Sequence, residues 1–168
     1  LSETADLRFG RDGGIELRTG AQSFGQGQPT TIPMILARLL GVDSRSIRLV
    51  QGDSDVVPEG IATVASRSTV MVGGAMSLAV EQAIEKGREF AAEFLEASPS
   101  DLEYAAGRFR IAGTDRSVDI GTLVGQGFSL DTVAQFSPPE MSFPNGCHVC
   151  EVEIDPETGV VRVVGYTA

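Results

Sequence analysis

Residues 68–97 read STVMVGGAMSLAVEQAIEKGREFAAEFLEA, a run without proline. Ala75, Leu78, Ala79, Gln82, Ala83, Phe90, Phe94 and Leu95 keep helical spacing within it, so the stretch predicts one long packed helix. Gly73-Gly74 strips the side chains from one part of that helix and predicts the close approach of another backbone there. Ser98-Pro99-Ser100 ends the run, because proline lacks the amide hydrogen that a continuing helix needs.

Strands are expected on both sides of this helix. Upstream, residues 6–9 and 15–19 alternate about Asp12-Gly13-Gly14 and predict a hairpin. Gly20 to Gly27 is a glycine-rich loop. From Pro29, the spacing of Ile32, Ile35, Leu36, Leu39 and Leu40 predicts a helix buried on one side, with Pro33 in its first turn and Gly41 as its stop. Residues 46–51 read as a strand and 52–63 as a polar loop. Downstream, residues 102–105 and 108–112 flank Ala106-Gly107 as a hairpin, Val118 marks a short strand, and 120–125 a short helix. A proline-rich loop over 137–145 leads to a second hairpin, 149–154 and 160–166, about Asp155-Pro156-Glu157-Thr158-Gly159. This mixture predicts an α+β fold, a two-layer sandwich of mixed sheet and helices including one long helix.

The chain has 168 residues, 42% of them hydrophobic, with 13 basic and 23 acidic residues and a net charge of −10. It is apolar enough to fold. Its charge repels nucleic-acid backbones and anionic membrane surfaces, and no run approaches the roughly 18 apolar residues of a membrane span. Any anionic ligand must therefore be held by local N–H groups and oriented dipoles. Cys147 and Cys150 are too few for a disulfide framework and suggest a reducing, cytoplasmic setting.

Two segments meet the requirement for anion binding. Gly20-Ala21-Gln22-Ser23-Phe24-Gly25-Gln26-Gly27 lies between a strand and a helix, where it serves either as a packing connector or as a cradle of free N–H groups. It lacks the Lys-Ser/Thr pair of a P-loop, which excludes a nucleoside triphosphatase of that kind. Ala62-Thr63-Val64-Ala65-Ser66-Arg67-Ser68-Thr69 is dense in hydroxyls immediately before the long helix. Ser66 or Ser68 can cap that helix, and Arg67 can either bind an oxyanion or pair with an acidic neighbour.

Other candidates carry less. Cys147-His148-Val149-Cys150 places its sulfurs on opposite faces of the expected strand, without the further ligands of a zinc site, and reads as core or sheet packing. Asp53 and Asp55 lack the rest of a calcium loop and read as turn-capping or solvated groups. Glu151 and Glu153 share a strand face that reads as exposed.

In order, Gly25-Gln26-Gly27, Leu40-Gly41-Val42, Gln51-Gly52-Asp53-Ser54-Asp55, Thr63-Val64-Ala65-Ser66-Arg67-Ser68 and Gly73-Gly74-Ala75 resemble the large, molybdopterin-binding subunit of the molybdenum hydroxylases. That family includes xanthine dehydrogenase, aldehyde oxidase and aerobic carbon monoxide dehydrogenase. The stretch from Phe143 to Gly159 resembles a strand pair of the same subunit, so the likeness covers about residues 13–79 and 143–168. It implies that 1–168 is a partial molybdopterin-binding domain, with 1–97 its cofactor-loop half and 98–168 its β-rich half.

The resemblance further implies a molybdenum cofactor, molybdopterin or molybdopterin cytosine dinucleotide. Carried over, its contacts are Gly25, Gln26, Gly27, Thr63, Ala65, Ser66, Arg67, Ser68 and Thr69. The implied partners are the remainder of the large subunit and iron–sulfur and flavin subunits or domains. Ala62 and Ala65 stand where many relatives have glycine, and Met34 where a polar residue is common. The family's catalytic glutamate, in a Gly-X-Gly-Glu motif, has no match in these 168 residues, so no catalytic or metal-ligating residue is assigned. The expectation is a middle piece of a catalytic subunit that is inactive alone. The alternatives are a noncatalytic assembly or dimerisation module and a binder of a different phosphate-bearing ligand.

Overall fold

The computed structural model describes residues 2–57, 59–140, 143 and 145–168. They fall into two compact units that divide between Pro138 and Pro139. Parts of two expected loops, Pro58 in 52–63 and Met141, Ser142 and Pro144 in 137–145, lie outside the described residues.

In the first unit β1 (Glu3–Phe9) and β2 (Ile15–Thr19) form the expected hairpin. Helix α1 (Gln28–Leu40) leads to β3 (Ile47–Val50), which lies parallel to β2. A later strand, β7 (Thr132–Phe136), completes the order β3-β2-β1-β7. Ala5, Leu7, Ile15 and Leu17 are buried while Asp6, Arg8, Glu16 and Arg18 alternate with them, as the two-residue period of a strand requires. The charges pair on the other face, Arg8 with Asp6 and Asp131, Arg18 with Asp6 and Glu16.

The long helix, α2 (Ser68–Leu95), lies on β1 and β7 with Val72, Ala75, Met76, Ala79 and Val80 buried. It stops short of Ala97 because Glu96 turns left-handed, at φ 49°. The nearest neighbour at the glycine pair is an aromatic ring. A Cβ at Gly74 would lie 2.4 Å from the Phe136 ring, whereas one at Gly73 would meet nothing within 4 Å.

The far half of α2 carries a second sheet of β4 (Leu102–Ala105), β5 (Arg108–Ile111) and β6 (Ser117–Asp119), followed by α3 (Ile120–Gly125). Phe109 is fully buried, with its ring where a side chain at Gly87 would stand. Burial of such a ring contributes about 1.5–3 kcal/mol. Two contacts tie α1 to this sheet. The Tyr104 hydroxyl donates to the Leu40 carbonyl at 2.6 Å, and Gly41, left-handed at φ 69°, presses on the β4–β5 turn.

The placement of Pro33 is corrected, and one strand is added. Pro33 lies inside α1 and not in its first turn, because the helix starts at Gln28. Strand β7 escapes the sequence pattern because its buried positions are Thr132 and Ala134, while Val133 is exposed. The Thr132 hydroxyl is satisfied by the Ala79 carbonyl at 2.9 Å.

The second unit is the hairpin of β8 (Val149–Ile154) and β9 (Val161–Thr167), bulged between Glu151 and Val152. The Asp155 carboxylate accepts from the N–H groups of Glu157 and Thr158, at 2.8 and 3.1 Å, and shapes the turn. Cys150, Val152 and Ile154 pair with Tyr166, Val163 and Val161, which gathers apolar groups on one face. Glu153 pairs with Arg162 on the other. Cys147 and Cys150 are free, exposed thiols, so of the expected core or sheet-packing roles the core one is not found, while Cys150 lies in β8 opposite Tyr166. The first unit is an α+β assembly of sheets and helices built around one long helix, and the second is a two-stranded antiparallel sheet.

Candidate functional site

The parallel pair β2 and β3 decides where the site forms. Parallel strands put both carboxyl ends at one edge of the sheet, so the chain leaves β2 at Gly20 and β3 at Gln51 side by side. Such an edge is where open α/β sheets commonly bind ligands. Here the glycine loop meets the segment leading into α2. A Cβ at Gly20 would stand 2.1 Å from the Cα of Gly60, so only glycine permits this approach.

A chain of hydrogen bonds fastens the two segments. Gln51 Nε2 donates to Gln28 Oε1 at 2.9 Å, and Gln28 Nε2 donates to Thr63 Oγ1 at 3.1 Å. The Ser68 hydroxyl donates to the same Thr63 oxygen at 2.9 Å. Gln28 and Ser68 are buried. Gln28 therefore joins the end of the glycine loop to the hydroxyl-rich segment. Neither glutamine stands out by residue type. The available signal is positional, since Gln28 precedes Ile32 and Leu36 on the buried face of α1.

In the glycine loop, Gly25 and Gly27 are left-handed at φ 107° and 82°, a conformation that disfavours side chains. Gln26 is exposed, and its carboxamide oxygen accepts from the Phe24 N–H and from the Ser23 hydroxyl at 3.4 Å. Its amide nitrogen, a donor, remains the outward function.

The start of α2 differs from the expected cap. Arg67 occupies the cap position, and neither Ser66 nor Ser68 caps the helix. Ser66 is left-handed at φ 53°, not extended as a capping residue usually is, and Ser68 donates to Thr63. Ala65, at φ 51°, shares this conformation. Ala65, Ser66 and Thr69 are exposed, and the first turn of α2 holds no acidic residue.

Arg67 takes the acidic-neighbour option. Its Nη1 donates to Glu3 Oε2 at 3.1 Å and to the Ile61 carbonyl at 3.0 Å, while Nη2 donates to the Ser2 carbonyl at 3.0 Å. The pair is deeply buried, with side-chain exposures of 7% and 1%. The other Glu3 oxygen accepts from the Gly20 N–H at 3.1 Å and the Thr19 hydroxyl at 3.4 Å. One ion pair thus anchors both segments to the start of β1.

Residues 20–28 and 60–70 carry no carboxylate, and Arg67 is their one charge. Within a chain of net charge −10, this edge is locally receptive to an anion through N–H and hydroxyl donors. It lacks a titratable acid–base pair and is suited to binding and orienting. Asp53 behaves as the expected turn former, accepting from the Asp55 N–H at 3.0 Å. A cavity of about 280 Å³ lies elsewhere, lined in part by Phe9, Gly14, Val42, Ala106, Asp119 and Val124. Among the described residues, no three His, Cys, Asp or Glu side chains cluster to hold a metal, and no helix is long and apolar enough to cross a membrane.

The family model of the molybdopterin cofactor-binding domain matches residues 1–168, and the chain belongs to that family. It is 33% identical to subunit gamma of the 6-hydroxypseudooxynicotine dehydrogenase complex of Paenarthrobacter nicotinovorans, over 99% of this chain and 22% of that subunit. With the carbon monoxide dehydrogenase large chain of Hydrogenophaga pseudoflava it shares 32% identity, over 100% of this chain and 22% of the relative. Carbon monoxide dehydrogenase from Oligotropha carboxidovorans has the same fold, with a TM-score of 0.92 and 31% identity, over 98% of this chain and 22% of that one. Quinoline 2-oxidoreductase from Pseudomonas putida 86 follows at a TM-score of 0.86 and 28% identity, over 98% and 22%. The chain spans 22% of the length of each of these relatives.

Proposed function

We propose that this member of the molybdopterin cofactor-binding family holds the pterin and phosphate part of a molybdenum cofactor where residues 20–28 and 61–69 meet. The observation that carries the reading is the hydrogen-bonded chain Gln51–Gln28–Thr63–Ser68, which joins the two segments into one donor-rich surface. Gly25 and Gly27 open the backbone to close approach. The Gln26 amide suits a pterin edge, and Thr63, Ser66, Ser68 and Thr69 offer hydroxyls beside the start of α2. Ala65 contributes backbone there. Arg67 acts from beneath, as the clamp that fixes the surface to β1. The absence of carboxylates from both segments fits a phosphate or a cytidine diphosphate extension.

The cofactor, when bound, supplies the redox chemistry of oxidative hydroxylation, and the protein supplies orientation and electrostatics. The parent is a molybdenum hydroxylase large subunit acting on an aldehyde, a purine or a related small molecule, with electrons leaving through iron–sulfur and flavin partners. This chain binds and orients, and alone it turns over no substrate. Cofactor released from a relative should co-elute with the chain on gel filtration, detected by pterin fluorescence. Passage of all fluorescence in the small-molecule fractions would refute the reading. A second reading, an assembly surface for the rest of the subunit or a second copy, is favoured by the apolar face of the β8–β9 hairpin. Concentration-dependent dimers without cofactor retention would support it.

A further inference from the structure

The chain of hydrogen bonds at the loop junction has a direction. A hydroxyl oxygen offers two lone pairs and one proton. Both acceptor positions of Thr63 Oγ1 are filled, by Gln28 Nε2 at 3.1 Å and by the Ser68 hydroxyl at 2.9 Å. Its proton has no acceptor among the described residues. The orientation of Gln28 is fixed in turn, because its oxygen receives the Gln51 amide at 2.9 Å. Gln28 is buried, so rotating its carboxamide alone would set its NH2 against that of Gln51 and leave a buried polar group there unpaired.

We propose that Gln28 and Gln51 are positioning residues that make the Thr63 hydroxyl an obligate donor, so that this point of the site takes a phosphoryl oxygen and rejects a ligand N–H. The inference rests on the proposed cofactor site and deepens it by naming the part of the ligand that Thr63 meets. Hydrogen bonds in series polarise one another, so each upstream amide strengthens the final donor. Neither glutamine need touch the ligand.

The test is a double-mutant cycle on the full chain, with inorganic pyrophosphate as probe. Binding is followed by phosphorus NMR and by amide shifts at residues 20–28 and 61–69, and urea midpoints monitor the fold. Thr63→Val should weaken binding about tenfold or more, the effect of losing a hydrogen bond to a charged group. Thr63→Ser should restore it. Gln28→Met should weaken binding about threefold in the wild-type background and leave Thr63→Val unchanged, because its effect runs through the hydroxyl. Should Gln28→Met fail to fold, Gln51→Met serves as the second variant with the same expected pattern. Equal losses in both backgrounds would show a merely structural glutamine and overturn the inference while leaving the cofactor site standing. Wild-type chain that shows no pyrophosphate shifts in either segment would overturn both.

Discussion

Replacing Arg67 with methionine keeps an unbranched stem of four atoms and removes the cation that faces Glu3. The structure defines what is lost: an ion pair at 3.1 Å with side-chain exposures of 7% and 1%, and donors to the Ile61 and Ser2 carbonyls. Breaking a buried pair from one side costs about 3–5 kcal/mol, because the remaining charge stays desolvated. With a urea dependence of about 2 kcal/mol/M, the unfolding midpoint should fall by about 2 M. Replacing Glu3 as well removes the stranded carboxylate, so the double variant Glu3→Met with Arg67→Met should be more stable than Arg67→Met alone by about 1 kcal/mol or more. Urea denaturation followed by circular dichroism reads both values, and amide exchange should speed up at residues 61–68 in the single variant. A midpoint within about 0.3 M of wild type, or losses that simply add in the double variant, would refute the assignment of Arg67 as the buried clamp.

Ala65→Gly should stabilise the chain by about 1 kcal/mol in thermal or urea melts, since alanine is held at φ 51° where glycine is unstrained; destabilisation would contradict the conformation assigned to that turn. Gly41→Ala should cost about 2 kcal/mol or more, because a Cβ there would lie 2.5 Å from the Ala106 Cα in a backbone at φ 69°, and an unchanged melting temperature would deny the contact between α1 and the β4–β5 turn. The Asp43 carboxyl is held down to about 2 from the ordinary 3.8, through hydrogen bonds from the Arg45 side chain and backbone. A depressed carboxyl stabilises the fold above its ordinary range and loses that contribution as pH falls through its native value. A carbon NMR titration should find the Asp43 midpoint near 2, with a rise toward the ordinary value in Arg45→Ala, and an Asp43 midpoint at its ordinary value in the wild type would contradict the pairing.

The elements legible from sequence were those whose burial follows polarity. Ile32, Leu36 and Leu40 announced α1, and the proline-free run announced α2, because apolar side chains mark the buried face of each. Strand β7 was hidden because its buried positions are Thr132 and Ala134, while a valine, Val133, is exposed. The two candidate loops could be named from glycines and hydroxyls, but not what joins them. Gln28, Gln51 and Glu3 act through partners distant in sequence, and a local reading has no access to such pairing. The same limit applies to Arg67. Its charge suggested an anion or an acidic neighbour, and Glu3, 64 residues away at the start of β1, decides between them. The Gly73-Gly74 pair signalled a close approach, but only the packing identifies the Phe136 ring as the visitor.

Amide hydrogen exchange of the full chain, measured with and without molybdenum cofactor, decides whether the glycine loop and the hydroxyl segment form one surface for one ligand. A single saturating ligand should slow exchange at residues 20–28 and 61–69 together, with equal concentration dependence. Protection confined to one segment, or centred elsewhere in the chain, would contradict it.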